Sequence, residues 1–510
     1  MRTYNAKPNP ISDNSAMSNE PNRVIYVNTL KKIRPILHLH EPYGIISRQR
    51  RENMQRDYVK VLEEQKKELE RLMADPCLVD RVQTERVDVN SPVAQIVIGV
   101  RRCGKSVVCR MALAKSGVKF GYIDFDDEAL QGIAVTDLND VLKAAYIVYG
   151  PFTHLFLDEV QNVEGWQLFA NRLLRGGMHL VITGSNSRLL SSEFATHMTG
   201  RDVLIELSPF TFEEYRRYLG RGDVKTTSDE AEARRDYDMF AVRGGLPETF
   251  VQPDTRAYFK TLFDSIIFRD VVQRRKVRFS AKFASLANTV MSNFACELSA
   301  NKLAQQLGIS SPNTVLNYVS YLEEAYLIET VKLYGRKAWE RTRLGKGYAI
   351  DMGLANHFKG FSPDENRRGR VLENIVFLQL RNKRYDLDYE IYFYKDRRHE
   401  IDFVCVRGGK VVKLVQVSYE MTNEKTRMRE LLALFDMGRE FKCDDLLLVT
   451  DRDSETVERD GLKVRIVDVV TWLLESAAEK MPCDYFSRGR KAAEEARRAI
   501  VKREAAKKDG

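Results

Sequence analysis

The sequence predicts an α/β fold of several domains, and three observations carry that prediction. Across residues 93–210, short apolar runs alternate with helical stretches, which is how a parallel sheet with crossover helices reads. Directly after the first run comes Gly99-Val100-Arg101-Arg102-Cys103-Gly104-Lys105-Ser106, a full match to G-x-x-x-x-G-K-[ST]. A later run, Leu155-Phe156-Leu157, ends in the paired acids Asp158-Glu159.

At 510 residues the chain exceeds a single core, and about three or four domains are expected. With 44% hydrophobic and 30% charged residues it reads as a globular protein with a charged surface. No apolar run approaches the roughly 18 residues of a membrane span, and residues 1–23 lack the apolar segment of a signal peptide, so no membrane and a cytoplasmic location are expected. The seven cysteines are scattered without a C-x-x-C pair, which favours reduced thiols over a zinc cluster or disulfide framework.

Residues 1–90 form an N-terminal extension whose part from residue 46 to 73 is strongly helical and charged on most faces. Candidate strands then fall at residues 95–98, 119–124, 154–157, 179–183 and 203–207 of a core spanning 91–215. The glycine loop lies between strand and helix, as phosphate binding requires. Glycines at 99 and 104 let backbone N–H groups curl around phosphate oxygens, with the helix N-terminus adding its dipole. Residues 99–106 together with Val107 are therefore the expected ATP contacts, Lys105 reaching the β/γ-phosphates and Ser106 ligating Mg²⁺. Cys103 inside the loop reads as a tolerated small residue, and Arg101 and Arg102 as facing a partner or neighbouring subunit.

Asp158, 53 residues after Lys105, is expected to complete the Mg²⁺ site from a strand adjacent to the first, and Glu159 to polarise the attacking water. The run Leu180-Val181-Ile182-Thr183-Gly184-Ser185-Asn186 ends at the ligand crevice of such a sheet, where Ser185 or Asn186 contacts the γ-phosphate or the water. The order of these strands is that of additional-strand ATPases. Arg201 is the candidate arginine finger, Arg243 a candidate γ-phosphate contact from the lid, and residues 124–127 read as a solvated turn.

Residues 216–292 look all-helical, with a break at Gly244-Gly245-Leu246-Pro247, and are expected to form a lid. Residues 293–360 carry a helix-turn-helix pattern: Leu303, Ala304 and Leu307 on one helix face, a turn at Gly308, then capping residues at Ser311 and Pro312. A winged helix is expected, with Asn313, Thr314 and Asn317 exposed to base edges and Lys332, Arg336, Lys337, Arg341, Arg343 and Lys346 as a basic wing. Glu323-Glu324 would repel phosphate there. The tail, residues 476–510, holds a basic stretch: residues 485–510 carry nine Lys/Arg against four acids out of a chain net charge of +9. It reads as solvated, with phosphate contact as the alternative.

The strings IGVRRCGKS, FLDEVQNVEGW, VITGSNSRLLSSE, TGRDVLIELSPFTFEEY and GGLPE resemble a family of prokaryotic AAA-type ATP-binding proteins with a C-terminal domain of unknown function. LENIVFLQL and HEIDFV look like that second domain, and the resemblance covers roughly residues 90–475. It implies an AAA-like, origin-recognition-related ATPase core, a winged helix and a restriction-nuclease-like C-terminal fold over residues 361–475. In that last region Glu373, Asp402 and the strand at residues 411–418 invite comparison with PD-(D/E)xK nucleases, which place two carboxylates and a Glu-x-Lys around Mg²⁺. Here the Glu-x-Lys position reads Gln416-Val417-Ser418, Lys413 falls on the opposite strand face, and an inactive nuclease-like scaffold is expected. The functional expectation is an Mg²⁺-dependent AAA-type ATPase that uses ATP as a conformational switch, with DNA or a protein, including a second copy, as partner. Its alternatives are a nucleotide-gated interaction module with little turnover and a metal-dependent nuclease.

Overall fold

The short apolar runs form strands: where both faces are covered, apolar side chains are favoured throughout rather than in alternation, and the run at residues 202–207 leaves Val203 and Leu204 exposed. The strands are β1 (Ala94–Gly99), β2 (Phe120–Asp124), β3 (His154–Asp158), β4 (His179–Gly184) and β5 (Asp202–Leu207), all parallel, in the order β2-β3-β4-β1-β5. The computed structural model describes residues 57–75, 78–185, 202–335, 344–359 and 365–479. β1 and β3 are not adjacent as expected. β4 lies between them, pairing Val97 with Thr183 on one side and Leu157 with Ile182 on the other.

The charged helix begins at Tyr58 and ends at Met73, with Leu62, Gln65 and Leu69 buried. Its narrow stripe suffices because Gln65 also pairs the edge strand: its amide donates to Asp124 O at 3.0 Å and accepts from Asp124 N at 3.0 Å. A polar side chain here occupies backbone groups that an edge strand would otherwise leave open.

Residues 212–292 hold no strand: helices Phe212–Tyr218, Thr227–Arg243 and Thr255–Ser265, a π-helical segment Ile266–Gln273, and helix Ser280–Ser292. The break after Arg243 is fastened by buried Asp351, whose carboxylate accepts from Gly245 N at 2.7 Å and Leu354 N at 2.8 Å. Burial pushes Asp351 up to about 6 although it is surrounded by backbone donors.

Helices Ala300–Leu307 and Pro312–Glu324 meet at Gly308, and the Ser311 hydroxyl caps the second by accepting from Asn313 N and Thr314 N. Asn313 and Asn317 are exposed, and Thr314 is half-buried. Glu323 and Glu324 do not face outward: Glu323 accepts from Thr330 and Glu324 pairs with Arg275. The remaining strands are β6 (Cys296–Glu297), β7 (Ile328–Leu333), β8 (Lys346–Ala349), β9 (Glu390–Lys395), β10 (Glu400–Arg407), β11 (Lys410–Ser418), β12 (Leu446–Thr450), β13 (Glu455–Arg459) and β14 (Leu462–Asp468). They form one mixed nine-stranded sheet, order β13-β14-β12-β11-β10-β9-β7-β8-β6. The β6–β8 hairpin region is joined to the C-terminal strands by parallel pairing of β7 with β9, Lys332 opposite Tyr392. Arg336, Lys337, Arg341 and Arg343 lie outside the described residues, as do residues 480–510 of the basic tail and residues 1–56.

The two sheets are bound by buried charge. Arg381, on helix Glu365–Leu387, pairs with Glu206 of β5 and with Glu329 of β7 at 2.6 Å, and donates to Ser208 at 2.6 Å. Arg384 repeats both carboxylate contacts. Among the described residues no helix is long and apolar enough to cross a membrane.

Candidate functional site

The loop after β1 is shaped by two glycines for different reasons. At Gly99, φ is +152° and a Cβ would stand 2.1 Å from the Leu207 carbonyl oxygen of β5, so space and backbone both exclude a side chain. At Gly104, φ is +97° in open space, so only backbone conformation demands glycine. Arg81, buried, holds the loop from behind: it donates to Cys103 O at 3.3 Å and Ser208 O at 2.8 Å and pairs with Glu214 at 2.7 Å.

Helix Lys105–Ser116 starts at the loop's end, so Lys105 and Ser106 stand at its N-terminus. Lys105 Nζ donates to the carbonyls of Gly99 and Val100 at 3.3 Å each and lies 3.5 Å from Glu159 Oε1. Ser106 Oγ donates to Asp158 Oδ1 at 2.9 Å. Thr183 Oγ1 donates to the same oxygen and accepts from Glu159 N at 2.9 Å. Tyr122 OH donates to Asp158 Oδ2 at 3.2 Å and receives Arg110, whose guanidinium lies 3.8 Å from that oxygen. Gln161 donates to Glu159 and to Ser185 Oγ at 3.4 Å. Glu159 itself has φ +49°, an uncommon conformation for a non-glycine residue that turns its carboxylate toward Lys105.

The charges are divided between the two acids. Burial works against ionisation of Glu159, but Lys105 and the Gln161 amide hold it below its ordinary range. Burial works against Lys105 too, and Glu159 lifts it above its usual value. Asp158 is raised by burial and by Glu159, against donors from Thr183 and Ser106. Asp124, pushed up to about 7 by burial and by Asp158, stands beside them. The site thus holds one lysine–glutamate pair and one buried aspartate that faces the hydroxyls of Ser106, Thr183 and Tyr122 and the Arg110 guanidinium. Ser106 and Asp158 offer two hard oxygens, and Mg²⁺ needs few protein ligands when phosphates and water supply the rest, so the residues present fit it.

Several expectations change on this geometry. Arg101 and Arg102 face the chain's own helical region: Arg101 pairs with Asp126 at 3.1 Å and Asp270 at 3.6 Å, and Arg102 with Glu248 at 2.6 Å. Asp126 also receives Arg269 and the Asn162 amide, and Asp127 receives Gln65, so residues 124–127 are a charged junction rather than a solvated turn. Cys103 is fully buried against Leu207 O, and burial raises its thiol. Val107 is half-buried behind Ser106, Ser185 is buried at the end of β4, and Arg243 is half-buried at the glycine break. Asn186 and Arg201 lie outside the described residues. Thr183, Tyr122, Arg110, Gln161 and Arg81 were not singled out from sequence. Only Thr183 had a signal: as the last hydroxyl of its strand it stands level with Asp158 once β4 is set beside β3.

Residues 91–216 match an AAA domain, residues 234–365 a domain of unknown function (DUF8612), and residues 368–469 a second one (DUF4143). An uncharacterized protein of Methanocaldococcus jannaschii is 33% identical over 396 residues, covering 74% of this chain and 88% of the relative. The chain belongs to this family of AAA-type ATP-binding proteins. A further relative of the AAA-type chain, an uncharacterized protein of Haemophilus influenzae, is 29% identical over 397 residues, covering 75% and 94%. Among solved structures, the Walker-type ATPase of Pyrococcus abyssi aligns at 16% identity with TM-score 0.37, covering 55% of this chain and 96% of that one. The RuvB Holliday junction branch migration motor of Thermotoga maritima aligns at 16% identity and TM-score 0.26, covering 59% and 95%. For this AAA-type family member, the glycine loop, Lys105, Ser106, Asp158 and Glu159 are the residues that meet at the carboxyl end of the first sheet.

Proposed function

We propose that this protein is an Mg²⁺-dependent ATPase whose nucleotide state repositions its helical and C-terminal parts. The observation that carries the reading is the Lys105–Glu159 pair beside the Ser106–Asp158 hydrogen bond, all at one sheet end. Lys105 exchanges its two carbonyls and Glu159 for the β/γ-phosphates, and the loop's N–H groups take the remaining phosphate oxygens. Ser106 and Asp158 are the residues that would hold Mg²⁺, which would supply positive charge against the phosphates. Glu159, released from Lys105, orients and deprotonates the water, while Thr183 and Gln161 fix its backbone and carboxylate. Ser185, buried at the end of β4 and joined to Gln161, is a proposed γ-phosphate contact, as are Asn186 and Arg201.

Loss of the Lys105 contacts frees the loop to shift, and the Arg101 and Arg102 pairs with Asp126, Asp270 and Glu248 carry that shift to the helical region, residues 216–292. The target we favour is DNA, through a winged helix at residues 293–360 that exposes Asn313 and Asn317, with the basic tail as an added phosphate contact. Lys105→Ala should abolish binding of a fluorescent ATP analogue. Salt-titrated DNA binding should weaken with rising salt and change between the nucleotide-free and ATP-bound protein. No DNA binding at low salt would leave a nucleotide-gated protein-interaction module as the reading.

A further inference from the structure

Glu373, Asp402 and Gln416, far apart in sequence, line one open cleft of about 830 Å³ in the nine-stranded sheet. A β-bulge region of β10, where the register with β9 shifts between Ile401 and Val404, aims Asp402 into it. In the sequence, Lys346 reads as part of an exposed basic wing. It is instead buried in this cleft, its Nζ lying 3.0 Å from Asp402 Oδ1, 3.1 Å from Glu400 Oε1 and 3.3 Å from Glu373 Oε1.

Other groups lining the cleft carry hydrogen bonds of their own. Asp402 Oδ2 accepts from Val417 N at 3.1 Å. Glu373 Oε1 also accepts from Tyr348 OH at 2.7 Å. The Gln416 amide is held at both ends, its oxygen accepting from Asp402 N at 3.1 Å and its nitrogen donating to Glu430 at 2.5 Å. Glu430 in turn pairs with Arg429. A magnesium or manganese ion sits about 2.1 Å from its ligand oxygens, so it cannot share Asp402 Oδ1 and Glu373 Oε1 with an ammonium already bridging them. The metal site implied by the nuclease comparison therefore does not fit the residues present.

We propose that the Lys346 ammonium is a built-in replacement for a divalent cation: it excludes metal from the C-terminal cleft and fastens β8 to β10 and to helix Glu365–Leu387. The arrangement is self-consistent in charge. Three carboxylates converge on Lys346, Glu400 also pairs with Lys395 at 3.1 Å, and burial together with Asp402 pushes Glu373 up to about 7, so near neutrality part of the remaining negative charge is lost to protonation.

The test is Mn²⁺ titration of the nucleotide-free full chain, followed by the electron paramagnetic resonance of free Mn²⁺. The native chain and Asp402→Asn should bind the same number of ions with the same affinity, because Asp402 offers no metal site. Lys346→Met should gain one Mn²⁺ site that Lys346→Met with Asp402→Asn lacks. Binding of ATP analogue to the variants reports that the chain is folded. An Asp402-dependent site in the native chain would overturn the proposal, and this arm needs no change at residue 346. A folded Lys346→Met variant that gains no site would overturn it equally.

Discussion

Replacing Thr183 with valine keeps its shape and removes only the hydroxyl, which is fully buried and makes two contacts in the candidate site: it donates to Asp158 and accepts from Glu159 N at 2.9 Å. A hydrogen bond to a charged group contributes about 1.5–3 kcal/mol, and leaving a buried N–H without an acceptor costs about 1–3 kcal/mol. The first loss weakens the placement of Asp158, the second that of the strained Glu159 backbone. If one such contact, about 1.5–3 kcal/mol, is expressed in the transition state, kcat falls about 10- to 100-fold at 1.36 kcal/mol per decade. Nucleotide affinity should change less than about threefold, since Lys105 and the loop are untouched. Steady-state phosphate release and analogue titration measure the two quantities, and Thr183→Ser, which restores the hydroxyl, should recover most of the rate. Native turnover in Thr183→Val would refute the role given to this hydroxyl.

Three further outcomes follow from other parts of the structure. Because Asp351 sits near 6 when folded, above about 3.9 for an unfolded aspartate, its contribution to stability is full below pH 4 and lost as pH rises through 6. Unfolding midpoints of the native chain should therefore fall by an amount equivalent to up to about 3 kcal/mol across that window, and Asp351→Asn should flatten the dependence. Arg381→Ala leaves Glu206 and Glu329 with Arg384 as their one remaining cation, Tyr385 OH still donating to Glu206, and should cost about 3–5 kcal/mol, read as a lower urea midpoint. Arg101→Ala should leave ATP binding within a few fold and abolish the nucleotide-dependent change in protease sensitivity of residues 216–292, because its bridges to Asp126 and Asp270 are lost.

The core was legible because its strands are short and mostly apolar, so local composition marks β1 to β5 within a residue or two, even β5 at the edge, where Val203 and Leu204 are exposed. The order of those strands is not a local property. Setting β4 between β1 and β3 depends on crossover packing, and Thr183 acquires its role only from that register. Lys346 shows the same limit more sharply: its sequence neighbours are basic, but its partners Glu373 and Asp402 lie 27 and 56 residues away, and burial beside them turns a surface lysine into an internal counter-ion. The same holds for Arg101 and Arg102, whose carboxylate partners are Asp126 after β2 and Asp270 and Glu248 of the helical region. The glycines of the loop and the helix that follows it were readable, because strand, glycine loop and helix follow one another along consecutive residues.

In the proposed reaction Glu159 activates water at a site built by Lys105, Ser106 and Asp158, and single-turnover ATP hydrolysis by Glu159→Gln in saturating Mg²⁺ measures that role. The amide keeps the shape and the contact with Gln161 but cannot take a proton. ATP affinity should remain within about threefold of native while hydrolysis slows at least about 100-fold, the usual reach of general-base loss. Hydrolysis at the native rate in a variant that binds ATP normally would contradict the account.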